Sequence, residues 1–145
     1  MKVSIEEIAQ TQEEEVIVKC HEISDDILDL IHRIKIRGSV IIGYEGEKIH
    51  RIHLKNVYYF ETVDSKTFIY CKDKVYESKQ RLYELEQIGQ GLAFFRATKS
   101  TIINASKILN VKPSLSGRFE ARLANGETVI ISRQFVPVLK KILDL

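Results

Sequence analysis

The segment Phe94-Phe95-Arg96-Ala97-Thr98-Lys99-Ser100-Thr101-Ile102-Ile103-Asn104 sets an Arg, a Lys and three hydroxyls between two apolar pairs. Anchored in a core at both ends, such a segment aims cations and hydrogen-bond donors at an anion. The same residue types recur at turns and segment ends elsewhere, at Lys66, Lys72, Lys74, Arg118 and Arg133. Lys and Arg at the loop tips of a β scaffold suit phosphate oxygens and base edges; Arg reads guanine bidentately and Lys acts as a point charge. The plain alternative is that charged loops only keep the protein in solution. Two residues have open roles. Arg96 pairs either with an acid of its own chain or with a phosphate, and Asn104 either caps local backbone or faces the ligand.

Other chemistries lack their residues. Gly89-Gln90-Gly91 has neither the third Gly nor the Lys-Ser of a phosphate loop. Cys20 and Cys71 lie 51 positions apart and read as free thiols, not as zinc ligands or a disulfide. His50 and His53 are separated by an odd number of residues, which on a strand puts them on opposite faces. No Ser-His-Asp or Cys-His set can be placed. The residues therefore point to a non-enzyme with no cofactor, no metal and no small-molecule substrate.

Charge is unevenly spread along the 145 residues. Residues 1–37 hold five Lys/Arg against nine Asp/Glu, and residues 38–145 hold seventeen against eleven. The larger part is the one suited to an anion. Apolar content of 44% and charged content of 29% are those of an ordinary globular chain. No apolar run approaches the roughly 20 residues of a membrane span. Glu6, Glu7 and Glu13 to Glu15 stand where a signal peptide would be apolar, so a cytoplasmic location is expected.

The elements that must position these residues follow from periodicity. Val3–Ile8 and Glu15–Cys20 read as strands. Ser24 caps a helix over about 24–36, with Asp25 and Asp26 in its first turn, Ile27, Leu30, Ile31 and Ile34 as its stripe, and Arg37 and Gly38 at its close. Strands dominate from 39 to 131. Turns fall at Gly43-Tyr44-Glu45-Gly46, Asp64-Ser65-Lys66 and Lys72-Asp73-Lys74, and Asn125-Gly126 marks a two-residue hairpin turn. Ser78 caps a helix over 78–88, and a last helix spans about 133–143. The fold class is mainly β with short helices (α+β): a β-β-α extension over 1–37, then a domain over 38–145.

FFRATKSTIINASKI, followed by SGRFEARLANGETVIISRQFVPVLKKIL, resembles the LytTR DNA-binding domain of bacterial transcriptional regulators. VYYFETVDSKTFIYC is similar to that family's earlier strand-loop-strand, and VYESKQRLYELEQIGQGLAFFR to its connecting helix. The resemblance covers about residues 38–145. It implies an elongated stack of small antiparallel sheets that reads double-stranded DNA with loops entering successive grooves. Carried over by position, the loops fall on Ser65, Lys66 and Thr67, on Lys99 and Ser100, and on Arg133, with Arg118 as a further candidate. The family's usual His or Arg in the first loop, and its His before the second Ser, are here Thr67-Phe68 and Thr98-Lys99, so base preference does not carry over.

The resemblance also implies two copies on paired direct repeats. The 37-residue extension is too short for the receiver domain of response regulators, so a stand-alone regulator is expected. The extension is assigned to homodimerisation, against the alternative that its helix packs on its own sheet. A membrane-protein regulator stays open. Three rival readings stand beside this one, one of them an enzyme, which would need a deep pocket with convergent polar groups. An RNA reader would display aromatic rings on an open sheet face, and a β-rich protein-interaction domain would ignore polyanions.

Overall fold

The computed structural model describes residues 1–36, 39–90 and 92–145. Arg37 and Gly38, expected to close the first helix, lie outside these described residues, as does Gly91. Helix α1 spans Asp25–Ile36. Ser24 caps it, its Oγ accepting from the Ile27 N–H at 3.4 Å. The two strands expected before it are absent, and residues 1–24 carry no ladder. A β-branched run becomes a strand only where a neighbour takes its backbone hydrogen bonds, and Val16 and Ile17 stay 67% and 65% exposed.

Among the described residues ten strands follow in two antiparallel sheets. The larger has seven strands in the order β2-β1-β5-β4-β3-β7-β6. These are β1 (Val40–Glu45), β2 (Lys48–His53), β3 (Tyr59–Val63), β4 (Lys66–Tyr70), β5 (Val75–Ser78), β6 (Phe94–Thr98) and β7 (Thr101–Asn104). The smaller sheet is β8 (Ile108–Pro113), β9 (Phe119–Leu123) and β10 (Thr128–Ile131), with β9 central. Helix α2 (Leu82–Ile88) lies between β5 and β6, and α3 (Val136–Ile142) follows β10 after one 3-10 turn. The expected antiparallel stack is thus two sheets of unequal size.

The apolar pairs have a simple cause. Phe60, Ile69, Phe94 and Ile102 point to one face, where Leu82 and Leu85 of α2 cover them. Tyr59, Phe95 and Ile103 point to the other, against Ala121, Leu123, Ile131, Val136 and Leu139. Strands β3, β6 and β7 are therefore buried on both faces, which is why they read as continuous apolar runs and not as alternation.

Local chemistry moved several boundaries. Ser78 closes β5 and is only 6% exposed. It pairs with Thr67 in the ladder, and its Oγ accepts from Gln80 N. Sheet pairing thus claims the residue expected to cap α2, which begins at Leu82 with the Glu84 carboxylate accepting from Arg81 N. Gly43 lies inside β1, not in a turn. A Cβ there would come within 2.4 Å of Ile52 Cδ1 and 2.8 Å of Tyr76 Cβ, so the turn contracts to Gly46-Glu47. The Asn125-Gly126 hairpin closes on three residues, with Gly126 N donating to Leu123 O and Leu123 N to Glu127 O. Gly126 takes φ +89°, the left-handed residue of such a loop.

Candidate nucleic-acid interface

Three turns built by different means come to one end of the large sheet. The first joins β3 to β4 through Asp64 and Ser65, with Val63 paired to Lys66. Both turn residues have positive φ, 50° and 65°. This is the backbone that matches the twist of a two-residue hairpin, and it is unfavourable for a serine. The strained turn is held by five ladder pairs behind it. Lys66 opens β4 and is exposed. Thr67 is not displayed with its neighbours: it is 6% exposed, and its hydroxyl lies 3.3 Å from that of Thr62. Strand alternation that sends Lys66 outward sends Thr67 inward.

The second turn, Lys99-Ser100, joins β6 to β7. Three bonds pin its backbone. Thr62 N donates to Ser100 O at 2.9 Å, so the first hairpin holds the second. Ser100 N donates to Thr98 Oγ1 at 3.1 Å. Arg96 Nη1 donates to Lys99 O at 2.9 Å, while Arg96 Nε is bound by the Glu86 carboxylate of α2. Arg96 is therefore an internal strut with its charge already matched. The Lys99 and Ser100 side chains are exposed at the tip.

The third element arrives from the small sheet. The ladder between β6 and β7 shifts register between Arg96 and Thr98. The intervening Ala97 carbonyl accepts from Ser132 N at 2.8 Å and from Ser132 Oγ at 3.2 Å. This bulge docks the small sheet on the edge of the large one and sets Arg133 near the second turn. Arg133 packs across Gly117, whose φ is +75°; a Cβ on Gly117 would meet Arg133 Cδ at 2.9 Å. Ile131 pairs with Phe119, which puts Arg118 opposite Ser132. Both arginines are exposed.

Lys66, Lys99, Arg118 and Arg133 are thus brought toward one end of the molecule, and among the described residues none of them forms a salt bridge. Lys72 and Lys74 are not part of this group. Their turn is at the opposite end of β4, and Lys74 Nζ lies 3.9 Å from Glu45. Asn104 is 1% exposed; it donates to Val57 O at 2.8 Å and accepts from Ser106 N at 3.1 Å, a cap and not a contact. Sequence reasoning missed the struts Glu86, Thr62 and Ser132. Each acts through a contact between separate elements and leaves no local spacing to find.

The aromatic rings that an RNA reader would display are largely enclosed. Phe60, Phe94 and Phe95 are buried, and Phe119 and Phe135 are half-buried against the second core. Among the described residues no helix is long and apolar enough to cross a membrane.

Comparison with known proteins bears on the family and the fold. The family model of the LytTR DNA-binding domain matches residues 47–144. An uncharacterized HTH-type transcriptional regulator of Staphylococcus aureus is 24% identical over all of this chain and 99% of its own length. The sensory transduction protein LytT of Enterococcus faecalis is 27% identical over 74% of this chain, which spans only 45% of that protein. Among solved structures, the LytTR DNA-binding domain of a Bacillus cereus protein named as a methyl-accepting/DNA response regulator superposes with a TM-score of 0.70 at 25% identity. That match covers 74% of this chain and 98% of the other. With its mainly antiparallel fold and a family match over most of its length, the chain belongs to the LytTR DNA-binding domain family of transcriptional regulators.

Proposed function

We propose that this protein regulates transcription by reading duplex DNA with the three turns at the shared end of its sheets. Lys66 with Ser65 forms one contact, Lys99 with Ser100 the next, and Arg133 with Arg118 the third. Thr67 serves as support beneath the first. The observation that carries the reading is the bracing of the second turn. Thr62 N, Thr98 Oγ1 and Arg96 fix its backbone through bonds within the chain, so little ordering remains to be done on binding.

The spacing supports the same reading. Neighbouring strands are about 4.8 Å apart, so the first two turns are separated by about 10 Å. The third lies one to two strand spacings further, giving a row of roughly 15–20 Å. Grooves of about 12 and 6 Å alternate along one side of a duplex, so a row of this length suits adjacent grooves. Arg133, stiffened by Gly117, is the candidate base reader; Lys66 and Lys99 are candidates for phosphate or groove-edge contact.

By likeness to the family, two copies engage paired direct repeats. The test is titration of the protein against random-sequence and then selected duplexes at several salt concentrations. Log affinity is expected to fall linearly with log salt, by about 0.9 for each phosphate contact. No binding at low salt would sink the reading and turn attention to protein partners.

A further inference from the structure

Helix α1 carries charges that fit a second copy of itself. Its first turn is acidic, with Asp25 and Asp26, and its last is basic, with Arg33 and Lys35. Asp26 and Arg33 are seven residues apart, about 10 Å along the axis and within roughly 20° around it. They therefore share one face. Leu30 lies between them and Ile34 beside Arg33, at 37% and 38% exposure. Ile27, seven residues before Ile34 and so on the same line of the stripe, is 6% exposed. The stripe is thus buried at its N-terminal end, while Leu30 and Ile34, further along, keep part of their surface open. Among the described residues neither Asp26 nor Arg33 has an ion-pair partner.

We infer that α1 pairs antiparallel with α1 of a second copy, about a two-fold axis beside Leu30. The midpoint of Asp26 and Arg33 falls at that residue. Each Asp26 then meets the partner's Arg33, twice over, while the two Leu30 side chains close the centre. A parallel pair would set like charge against like charge, so the charges select the antiparallel one. Two 12-residue helices, each about 18 Å long, bury less than the roughly 1,200 Å² of a standard interface. The dimer is accordingly weak and forms at high concentration. A rigid two-fold pair presents its readers in opposed orientations; on direct repeats the pair must open, and on inverted sites it need not.

This contact does not depend on the DNA reading. Sedimentation of the full chain without DNA, over about a hundredfold range of concentration, is expected to reach the mass of two chains. Arg33→Asp and Asp26→Arg are each expected to raise the dissociation constant about tenfold, and the double variant Asp26→Arg/Arg33→Asp to restore it. A monomer at every concentration, or a double variant no better than the singles, overturns the pairing. Leu30→Cys in a chain that also carries Cys20→Ser and Cys71→Ala puts one thiol at the axis. Oxidation is expected to link two chains through it; no link at a concentration where the wild type is dimeric overturns the axis. A dimer that fails to bind DNA would sink the function proposed above and leave this contact standing.

Discussion

Replacing Arg96 and Lys99 separately with Ala distinguishes positioning from contact within one turn. Four exposed cations, Lys66, Lys99, Arg118 and Arg133, face the shared end. If on random-sequence duplex, where no base is selected, each meets one phosphate, log affinity falls with log salt at a slope of about 3.6. Raising salt fourfold then weakens binding about 150-fold. Lys99→Ala removes one contact, lowers the slope to about 2.7, and reduces the same loss to about 40-fold. Arg96 behaves otherwise. Its charge is matched by Glu86 and its Nη1 holds the Lys99 carbonyl. Arg96→Ala frees the turn, and re-ordering one backbone residue on binding costs about 1–2 kcal/mol. That is a loss of about five- to thirtyfold in affinity with the slope unchanged. Fluorescence anisotropy on a labelled duplex at several salt concentrations reads both quantities. A slope that falls by about 0.9 in Arg96→Ala would mean that Arg96 itself meets a phosphate, and the strut assignment would be wrong. An unchanged slope in Lys99→Ala would remove Lys99 from the interface.

Arg133→Ala is expected to cost roughly 1–3 kcal/mol on a selected site, much more than it costs on random duplex; equal losses on both would reduce Arg133 to a phosphate contact. Asn104→Ala removes bonds to Val57 O, Ser106 N and Ser106 Oγ. It leaves a buried carbonyl without its donor, so urea denaturation should show about 2–4 kcal/mol of lost stability. Replacing Asp64-Ser65 with Asn-Gly suits the positive φ at both positions. It should stabilise by about 1 kcal/mol, a rise in Tm of about 3 °C, and a fall in Tm would contradict the turn geometry. Burial pushes the Cys71 thiol up from 9.0 to about 11. Its stabilising contribution is complete below about pH 9 and lost by about pH 11, because the unfolded chain releases that proton first. Tyr59 and Tyr70 are raised in the same direction, chiefly by burial and then by Glu127 and Glu61 respectively, so they add to the alkaline loss. Tm should fall across this window, and less steeply in Cys71→Ala.

What could be read from the residues, and what could not, follows from the range of the forces involved. Alternation of Phe119, Ala121 and Leu123 marked β9, and the turn residues after it marked the hairpin, because both signals are local. The Phe94-Phe95 and Ile102-Ile103 pairs announced a core, but that each pair divides between two cores depends on α2 and the small sheet lying on opposite faces. Ser78 carried a capping signal that was outcompeted by pairing with Thr67. Residues 15–20 had strand-like composition without a partner strand, and composition does not supply one. Of the candidate site, the cations at turn tips were legible. The bond from Arg96 to Glu86 joins a strand to a helix, and the bond from Ser132 to the Ala97 carbonyl joins two sheets, so neither could be found by spacing.

The docking of Ser132 on β6 closes one border of the large sheet and leaves the other bare. Among the described residues no strand covers the outer side of β2, so its unpaired amides and carbonyls form a template on which further strands could grow. Lys48 and Arg51 stand exposed on that strand beside Ile49. Their charges repel a second identical border and keep the sheet from seeding a fibril. Without them Lys48–His53 would approach an uncharged, β-rich segment of the length that stacks into cross-β ribbons. Two charges that have no part in the cores or the turns are then what keeps the assembly finite.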